Sequence, residues 1–532
     1  MNPTARLAAL SLACSALTLL VACSDNGGAS AEADVTVADG SGSGEGSADG
    51  SAEGSAVFAP LLPCDLPRPA LTTAKLTIDG RFFRDALGRQ VLLRGVNTGG
   101  RSKTAPFFPF PFAESGHPGQ EAAPAFAQAA ETYVARVEAW GMNTVRLPII
   151  WEAVEPARGS YDSAYLARVR ELIEAFGRRN IRVVVDMHQD LFARAYCGDG
   201  APDWALASPV PPRPENEACE GWFMGYISDE TGLVFPAFDR FWQNGDGTRD
   251  AFREMWTEVA RQLWPVGNVV GFEIFNEPHP GSDNEERWGR DVLTPFYTEI
   301  AAAIREVAPG APVFFDTSGT DATDQTFFVE RPDGGNMVWA PHYYDPRVFL
   351  GIPITESFSA MRPVTFLEGQ GERWQVPVFL GEFGAKYANP NTPLYLRKTY
   401  DALDAFSMHS TAWEYSTDSF DWNLEGFSLV APDGTERPAA DELVRAYPAA
   451  VAGQEVVFSF DKSSRTASLA WTAAAGGVTE VALPSRLYPN GASVTVEASD
   501  GALCGRYDSA AGLLLVRSEA DGAQSIRVNP NP

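Results

Sequence analysis

Two glutamates follow short apolar stretches and have the chemistry of a catalytic carboxyl pair. Glu277 ends the stretch GFEIFNEP (271–278), in which the final proline forbids a continuing backbone ladder. Glu382 stands in VPVFLGEFGA with the same order of apolar run, glutamate and glycine. Cleavage of a glycosidic bond needs a proton on the departing oxygen and an attack at the anomeric carbon, so one carboxyl must be neutral while its partner is charged. The pair therefore indicates glycoside hydrolysis, with the Asn276 amide beside it to hold the substrate's 2-hydroxyl.

The elements that must position these glutamates alternate regularly between strand and helix. Helices are predicted around 122–140, 163–178, 250–264, 286–307 and 393–407. The predicted strands are Val91–Val96, a strand ending at Arg146, a strand ending at His188, and the runs in NVVGFEIFNEP, PVFFDTSG, MVWAPHYYD, VPVFLGEFGA and STAWEYS. Eight such strands predict an α/β fold, the (β/α)8 or TIM barrel, which places its chemistry at the carboxyl ends of its strands. Glu277 would end strand four and Glu382 strand seven.

The segments outside the barrel divide the rest of the chain. Residues 1–23 have the layout of a secretory signal, and Leu20–Cys23 resembles a bacterial lipobox, which would acylate Cys23. Ordinary signal cleavage nearby is the alternative, so the protein is expected to be an exported lipoprotein at the cell surface or facing the periplasm, or else secreted. Residues 24–57 are rich in Gly, Ser, Ala, Asp and Glu and predict a disordered tether. The catalytic domain is assigned to 58–448, and the short alternating strands of 449–532 predict a β-sandwich.

Charge and cysteine content limit the partners. The chain has 41 Lys+Arg against 69 Asp+Glu, a net charge of −28, which argues against nucleic acid because phosphate contacts need clustered cations. The expected partners are a glycolipid or oligosaccharide substrate and a membrane reached through the lipid anchor, and we expect a monomer.

Four cysteines remain beyond the signal, and disulfides are plausible in an exported protein. Cys197 and Cys219 flank one proline-rich loop and are the preferred pair, which leaves Cys64 and Cys504. Three connectivities are open. A zinc site is the rival, but the spacing lacks a C-x-x-C.

From Val91 to Ser416 the chain resembles glycoside hydrolase family 5, a family of retaining (β/α)8 enzymes. The residues that match its eight recurrent positions are Arg146, His188, Asn276, Glu277, His342, Tyr344, Glu382 and Trp413. The resemblance implies that Glu277 is the acid/base and Glu382 the nucleophile, that Arg146 and Tyr344 bond the nucleophile, and that Trp413 stacks on a sugar. It implies no metal and no cofactor. Taken singly, each residue has a commoner structural role, so the joint order along the strands carries the prediction.

Two loops resemble the endoglycoceramidases within that family, which cleave the bond between oligosaccharide and ceramide. They are DMHQDLFARAYCGDGAPDWA and LLRGVNTGGRSKTAPFFPF, and they imply that Asp190 and Lys103 contact sugar, with two extra residues standing around 99–101. A β-glucanase or mannanase, a glucosylceramidase and a non-catalytic carbohydrate-binding protein are the alternatives.

A ceramide substrate needs a broad apolar surface beside the cleft. We expect three aromatic groups to cluster on one rim of the barrel mouth: the four phenylalanines of 107–112, Trp222–Met224 and Phe327–Phe328. Burial of the phenylalanine loop is the commoner outcome and stays open.

Overall fold

The computed structural model describes residues 59–69, 75–213, 219–319, 327–417 and 421–532. The predicted signal sequence, the lipidation site Cys23 and the tether of 24–57 lie outside the described residues. Within the described ranges, no helix is both long and apolar enough to cross a membrane.

Eight parallel strands form the predicted barrel. In chain order they are β6 (Arg94–Asn97), β7 (Thr144–Ile150), β8 (Arg182–His188), β9 (Val269–Glu273), β10 (Val313–Phe315), β11 (Met337–Trp339), β12 (Phe379–Leu380) and β13 (His409–Ala412). Each strand pairs with the next in chain order from β6 to β11, β12 pairs with β13, and β13 pairs with β6. Parallel bridges Trp339–Val378 and His342–Glu382 join the remaining two edges. The TIM-barrel prediction is confirmed.

The five predicted helices on the outside of the barrel are present, and further helices that were not predicted, Met361–Trp374 among them, accompany them. The α-helices are Phe126–Ala139, Trp151–Val154, Ser163–Arg178, Met224–Ser228, Val234–Trp242, Thr248–Leu263, Glu285–Trp288, Thr294–Val307, Pro346–Leu350, Met361–Trp374, Thr392–Ala405 and Pro438–Leu443. The helix Ser163–Arg178 shows the local logic, because the Asp162 carboxylate caps it by accepting the N–H groups of Ala164 and Tyr165, both at 2.9 Å. One of its faces, which includes Leu172 and Phe176, is buried, and each such side chain stabilises the fold by about 1.5–3 kcal/mol.

Strand β7 is longer than predicted. The prediction ended it at Arg146, but it continues to Ile150 through Pro148. Its neighbour β6 ends at Asn97, which stands opposite Arg146. Backbone groups of alternate residues point to the same side of a strand, so the missing N–H of Pro148 faces the side where no partner strand remains. Arg146 lies within this strand and not at its end, and its side chain is fully buried.

Two mainly antiparallel sheets follow the barrel, as predicted. Their C-terminal strands are β14 (Tyr447–Val451), β15 (Gly453–Asp461), β16 (Thr466–Ala473), β17 (Val478–Ala482), β18 (Ala492–Ser499), β19 (Leu503–Asp508), β20 (Leu513–Ser518) and β21 (Gly522–Pro530).

Strands from before the barrel complete both sheets. They are β1 (Ala59–Pro60), β2 (Leu62–Pro63), β3 (Thr77–Asp79), β4 (Phe82–Arg84) and β5 (Gln90–Val91). One sheet has the order β1-β18-β21-β16-β15 and the other β2-β19-β20-β17-β14-β5-β4-β3. A disulfide between Cys64, which follows β2, and Cys504 in β19 joins these two parts of the same sheet.

The predicted first barrel strand, Val91–Val96, is therefore two strands. Its beginning, β5, pairs with β14 in the sandwich, and its end belongs to β6 of the barrel. The predicted division at 449 omits the N-terminal strands, because strands of two or three residues are too short to show the hydrophobic alternation by which a sequence assigns strands to a domain.

Candidate active site

Arg146 is the centre of the site and is wholly buried inside the barrel. Its Nε and Nη2 donate to the Glu273 carboxylate at 2.8 and 2.7 Å, a bidentate pair. Its Nη1 donates to Glu382 Oε1 at 2.7 Å and to Asn97 Oδ1 at 3.0 Å. Its second Nη2 hydrogen reaches Asn276 Oδ1 at 2.8 Å. All of the guanidinium's donors are therefore used, and the arginine fixes four side chains that stand on, or just beyond, the three strands β6, β9 and β12.

Glu382, directly after β12, is held as a carboxylate. Besides the Arg146 contact, its Oε2 accepts the Tyr344 hydroxyl at 2.7 Å, and His342 Nδ1 lies 3.7 Å from the same oxygen. Burial alone would raise the pKa of Glu382, but the positive charges of His342 and Arg146 outweigh it and lower that pKa. An ionised carboxylate is the state that a nucleophile needs.

Glu277, four residues beyond the end of β9, has the opposite tendency. Burial raises the pKa of Glu277, although His342 Nδ1 lies 2.8 Å from its Oε1 and opposes the rise. Its backbone has a φ of +39°, a left-handed conformation that a glutamate seldom adopts. Single ligand atoms of Glu277, His342 and Glu382 all lie within 4.8 Å of one another. That separation favours the close spacing of retaining glycosidases, about 5–5.5 Å between carboxyl groups, over the wider spacing of inverting ones.

Asn276 has a fixed amide orientation. Its Oδ1 accepts from Arg146, and its Nδ2 donates to the carbonyl of Gln189 at 3.0 Å. Because Nδ2 carries two hydrogens, one remains for a substrate hydroxyl. This arrangement suits the predicted contact with the 2-hydroxyl.

Lys103, Asp190 and His188 lie together beside the tryptophan of strand eight. The Lys103 ammonium donates to Asp190 Oδ2 at 2.6 Å and lies 4.5 Å from the centroid of the Trp413 ring. His188 stacks on Trp413 with ring centroids 5.3 Å apart. Asp186 raises the pKa of His188 to about 10 against the effect of burial. The two extra residues at 99–101 thus do not move Lys103 away from the site, because Gly100–Lys103 form a 3-10 turn.

All ten predicted site residues are thus brought together at one end of the barrel. The sequence prediction missed other polar groups there, namely Asn97, Asp186, Glu273, Asp316 and Glu425. Glu273 could have been predicted from the sequence, because a charged residue inside a buried strand requires a partner of opposite charge such as Arg146. Glu425 accepts the Trp413 indole N–H at 3.1 Å, and its Oε1 lies 3.5 Å from Lys103 Nζ. Burial raises the pKa of Glu425 to about 7.

Three groups of carboxylate and histidine atoms in the described ranges are close enough to hold a cation. They are His188–Asp190–Asp199, Glu273–Asp316–His342 and Glu277–His342–Glu382. Protein cations already contact each group, Lys103 on Asp190 and Arg146 on Glu273 and Glu382. The donor sets are therefore better suited to internal ion pairs than to a metal.

The loops after strands β8 and β13 are tied together. The predicted disulfide Cys197–Cys219 is present. The Asn423 side chain donates to the carbonyl of Cys197 at 2.7 Å and accepts the N–H of Cys219 at 2.8 Å. Next to this contact, Trp422 packs edge-to-face on Trp222 at 4.9 Å, and both rings lie near Lys103.

The prediction that three aromatic groups cluster on one rim of the barrel mouth is wrong, because members of two of these groups pack elsewhere. Phe108, Phe110 and Phe112 are buried and pack against Phe126, because a partner surface on the helix Phe126–Ala139 covers them. Phe327 packs on Trp339 and Trp374, away from Trp222.

Other apolar side chains are exposed in the loops that open at the catalytic end. They are Phe223, Ile227 and Leu233 after β8, Leu350 and Ile352 after β11, Tyr387 after β12, and Leu424 after β13. We call this set the apolar loop residues.

A cavity of about 760 Å3 lies away from the carboxylates. It is lined by Asn143 just before β7, by Arg182 at the start of β8 and by sandwich residues such as Glu480. Because it lies at the amino ends of the strands, the convergence of polar groups, and not cavity size, identifies the site.

Comparison with known proteins agrees with this geometry. A family model described as Cellulase (glycosyl hydrolase family 5) matches residues 105–419, and one described as Glycoside hydrolase family 5 C-terminal domain matches 445–528. Endoglycoceramidase I of Rhodococcus hoagii is 28% identical over 489 residues, which cover 87% of this chain and 89% of that protein. The glucosylceramidase of Cryptococcus neoformans is 29% identical over 40% of this chain and 34% of its own length.

A solved structure, endo-glycoceramidase II from Rhodococcus sp., is similar over most of the chain. It has a TM-score of 0.67 at 26% identity and covers 85% of this chain and 100% of its own. The structure of the same relative has also been solved as its complex with ganglioside GM3.

Proposed function

Because the chain belongs to glycoside hydrolase family 5, we propose that it is a retaining β-glycosidase in which Glu277 is the acid/base and Glu382 the nucleophile. The observation that carries this proposal is the opposite perturbation of two adjacent carboxyls. The pKa of Glu277 is raised by burial, and that of Glu382 is lowered by His342 and Arg146. Environments that separate two carboxyl pKa values in this way assign the acid and the base.

The geometry supports a two-step reaction. Glu277 gives its proton to the glycosidic oxygen while a Glu382 oxygen attacks the anomeric carbon, so the C–O bond to the aglycone breaks and a glycosyl ester forms. Glu277, now a carboxylate beside His342, then takes a proton from water, which attacks the same carbon and releases Glu382. Asn276 holds the 2-hydroxyl throughout.

The substrate we propose is a glycosphingolipid, cleaved between oligosaccharide and ceramide. The end-to-end similarity to endoglycoceramidase I supports this choice, since the glucosylceramidase relative matches a much smaller share of both chains. The apolar loop residues give independent support. They stand in loops that follow four barrel strands, all of which open at the end that holds Glu277 and Glu382. An apolar aglycone is stabilised by such a surface, by about 25 cal/mol for each Å2 removed from water.

The test is to incubate the protein with a ganglioside, with glucosylceramide and with a soluble β-glucan, and to identify the products by mass spectrometry. We expect intact oligosaccharide and ceramide from the ganglioside. Glucose from glucosylceramide alone would favour a glucosylceramidase, and cleavage of the β-glucan alone would favour a polysaccharide hydrolase. The variant Glu382→Gln is the matched control, because it removes the nucleophile while keeping the size and shape of the side chain. A folded but inactive variant excludes a contaminating activity, whereas unchanged activity contradicts the role of Glu382.

We further propose export as a lipoprotein acylated at Cys23, with the tether 24–57 leading to a monomeric enzyme. The support is the sequence of residues 1–23 alone. Metabolic labelling with a radioactive fatty acid tests it, with Cys23→Ala as the unlabelled control. Labelling that survives this substitution would contradict acylation of Cys23.

A further inference from the structure

Asp316 lies directly behind the proposed acid/base. It follows the last residue of β10, and the side chain is buried. Its Oδ2 accepts the backbone N–H of Glu277 at 3.0 Å, and its Oδ1 accepts the N–H of Thr317 at 2.6 Å. The carboxylate thus contacts the residue whose backbone has the left-handed φ of +39°. A hydrogen bond to that N–H helps to hold a conformation that glutamate seldom adopts.

The same oxygen faces the histidine that contacts Glu277. Asp316 Oδ2 lies 3.5 Å from His342 Nε2, and His342 Nδ1 lies 2.8 Å from Glu277 Oε1. His342 Nε2 has no hydrogen-bond partner among the described residues, and the carboxylate oxygens that face it are Asp316 Oδ2 at 3.5 Å and Glu273 Oε1 at 4.0 Å. The three side chains therefore form one row, Asp316–His342–Glu277, with the imidazole between two carboxyls.

Other charges surround this row. The titratable groups that face it from the neighbouring strands and loops are Asp190, Tyr226, Glu273, Tyr297, Tyr344 and Glu382. Arg146 neutralises two of them, Glu273 and Glu382. Asp316 also lies beside Nε2, the outer nitrogen of His342. Among the described contacts, the His342 imidazole is the only cation that Asp316 meets.

We propose that Asp316 is a positioning residue for the acid/base: it fixes the backbone of Glu277 and holds a proton on His342 Nε2, so that Nδ1 presents to Glu277. The inference rests on the proposed function, in which Glu277 is the acid/base. When Glu277 has given its proton to the leaving group, the nearby imidazolium stabilises the carboxylate that remains. The charges of Asp316 and His342 depend on each other: burial raises the pKa of Asp316 to about 8, the positive charge of His342 opposes that rise, and the Asp316 carboxylate in turn raises the pKa of His342. Loss of the Asp316 carboxylate therefore lowers the pKa of His342, so less positive charge faces Glu277 and the pKa of Glu277 rises.

The variant Asp316→Asn tests this inference because it keeps size and removes charge. The probes are phenyl β-lactoside, whose departing phenol needs a proton, and 2,4-dinitrophenyl β-lactoside, whose leaving group needs none. We expect kcat/KM for the phenyl substrate to fall about tenfold or more, part of the 10²–10⁴-fold that acid catalysis contributes, while the dinitrophenyl substrate changes by less than about threefold. The alkaline limb of the kcat/KM profile should move to higher pH, since Glu277 must be protonated to react.

The matched control is Tyr297→Phe. Among the described residues, the Tyr297 hydroxyl hydrogen-bonds only to the backbone of Asp316, at 3.0 Å to its oxygen and 3.3 Å to its nitrogen. It should alter both substrates equally and leave the alkaline limb in place. Equal losses on both substrates in Asp316→Asn, without a shift of the limb, would overturn the proposal and reduce Asp316 to a structural role. A wild-type protein that cleaves neither lactoside would instead count against the proposed function.

A measurement on the wild type keeps the inference testable if the variant does not fold. The chain has only 5 histidines, so the imidazole 15N signals can be assigned. We expect a protonated Nε2 on His342 in the folded protein at neutral pH. An unprotonated Nε2 would overturn the proposal.

Discussion

Replacement of Arg146 by lysine is the perturbation whose effect the structure defines best. The guanidinium makes five hydrogen bonds, two to Glu273 and one each to Glu382, Asn97 and Asn276. A lysine keeps the charge but has three donors and no fork, so at least two acceptors lose their donor. A hydrogen bond to a charged group is worth about 1.5–3 kcal/mol, so the variant should lose about 3–6 kcal/mol in free energy of unfolding.

The catalytic effect follows from the contact with Glu382. Losing one charge-assisted bond, about 1.5–3 kcal/mol, corresponds to about 10–150-fold in kcat/KM when the bond acts in the transition state. Urea unfolding and steady-state kinetics on 2,4-dinitrophenyl β-lactoside measure the two effects separately.

Arg94→Lys is the matched control for a buried arginine that lies far from the carboxylates. Arg94 begins β6, at the amino end of the barrel, and its Nη2 donates to Asp404 Oδ1 at 2.9 Å. It should lose stability with kcat/KM unchanged. If Arg146→Lys kept kcat/KM within about threefold of the wild type, the claim that this arginine holds the nucleophile would be wrong.

Three further predictions concern single contacts. Tyr344→Phe removes the hydroxyl 2.7 Å from Glu382 and should raise the nucleophile's pKa, which moves the acidic limb of the kcat/KM profile to higher pH; an unmoved limb would contradict the contact. Replacing Cys197 and Cys219 together by serine opens a loop with a sequence separation of 22 and should cost about 3 kcal/mol in urea unfolding, whereas no change would show that the loop is held by other contacts. His409 accepts the N–H of Leu93, and burial lowers the pKa of His409 to about 3, so the folded protein holds this imidazole neutral. Its contribution to the free energy of unfolding is therefore complete above pH 6.5 and is lost as the pH falls towards 3. His409→Asn should therefore flatten the decline of unfolding free energy between pH 6.5 and 4, and a decline as steep as the wild type's would refute this assignment.

The barrel was predictable because its strands are short apolar runs, most of which are separated by helical segments. The same property located the proposed catalytic pair, since Glu277 and Glu382 stand just beyond such runs. The strands β1 and β2 of the sandwich were not predictable, because they have two residues each and are defined by partners more than 400 residues away in the chain. Their register depends on tertiary contacts and not on local pattern.

The supporting polar groups were harder to predict than the reactive ones. Glu425 stands in a loop without any periodic pattern, and only the fold brings it to Trp413. The phenylalanines of 107–112 show the same limit for apolar residues. Their type is compatible with burial, the commoner outcome, and with a binding surface, and packing against the helix Phe126–Ala139 leads to burial.

Trapping of the covalent intermediate would establish directly whether Glu382 is the nucleophile. Incubation with a 2-deoxy-2-fluoro β-lactosyl fluoride slows the second step more than the first, and peptide mass spectrometry then locates the sugar. We expect one 2-deoxy-2-fluorolactosyl adduct on Glu382, together with loss of activity at the same rate as labelling. An adduct on another residue, or turnover with inversion at the anomeric carbon and no adduct, would contradict it.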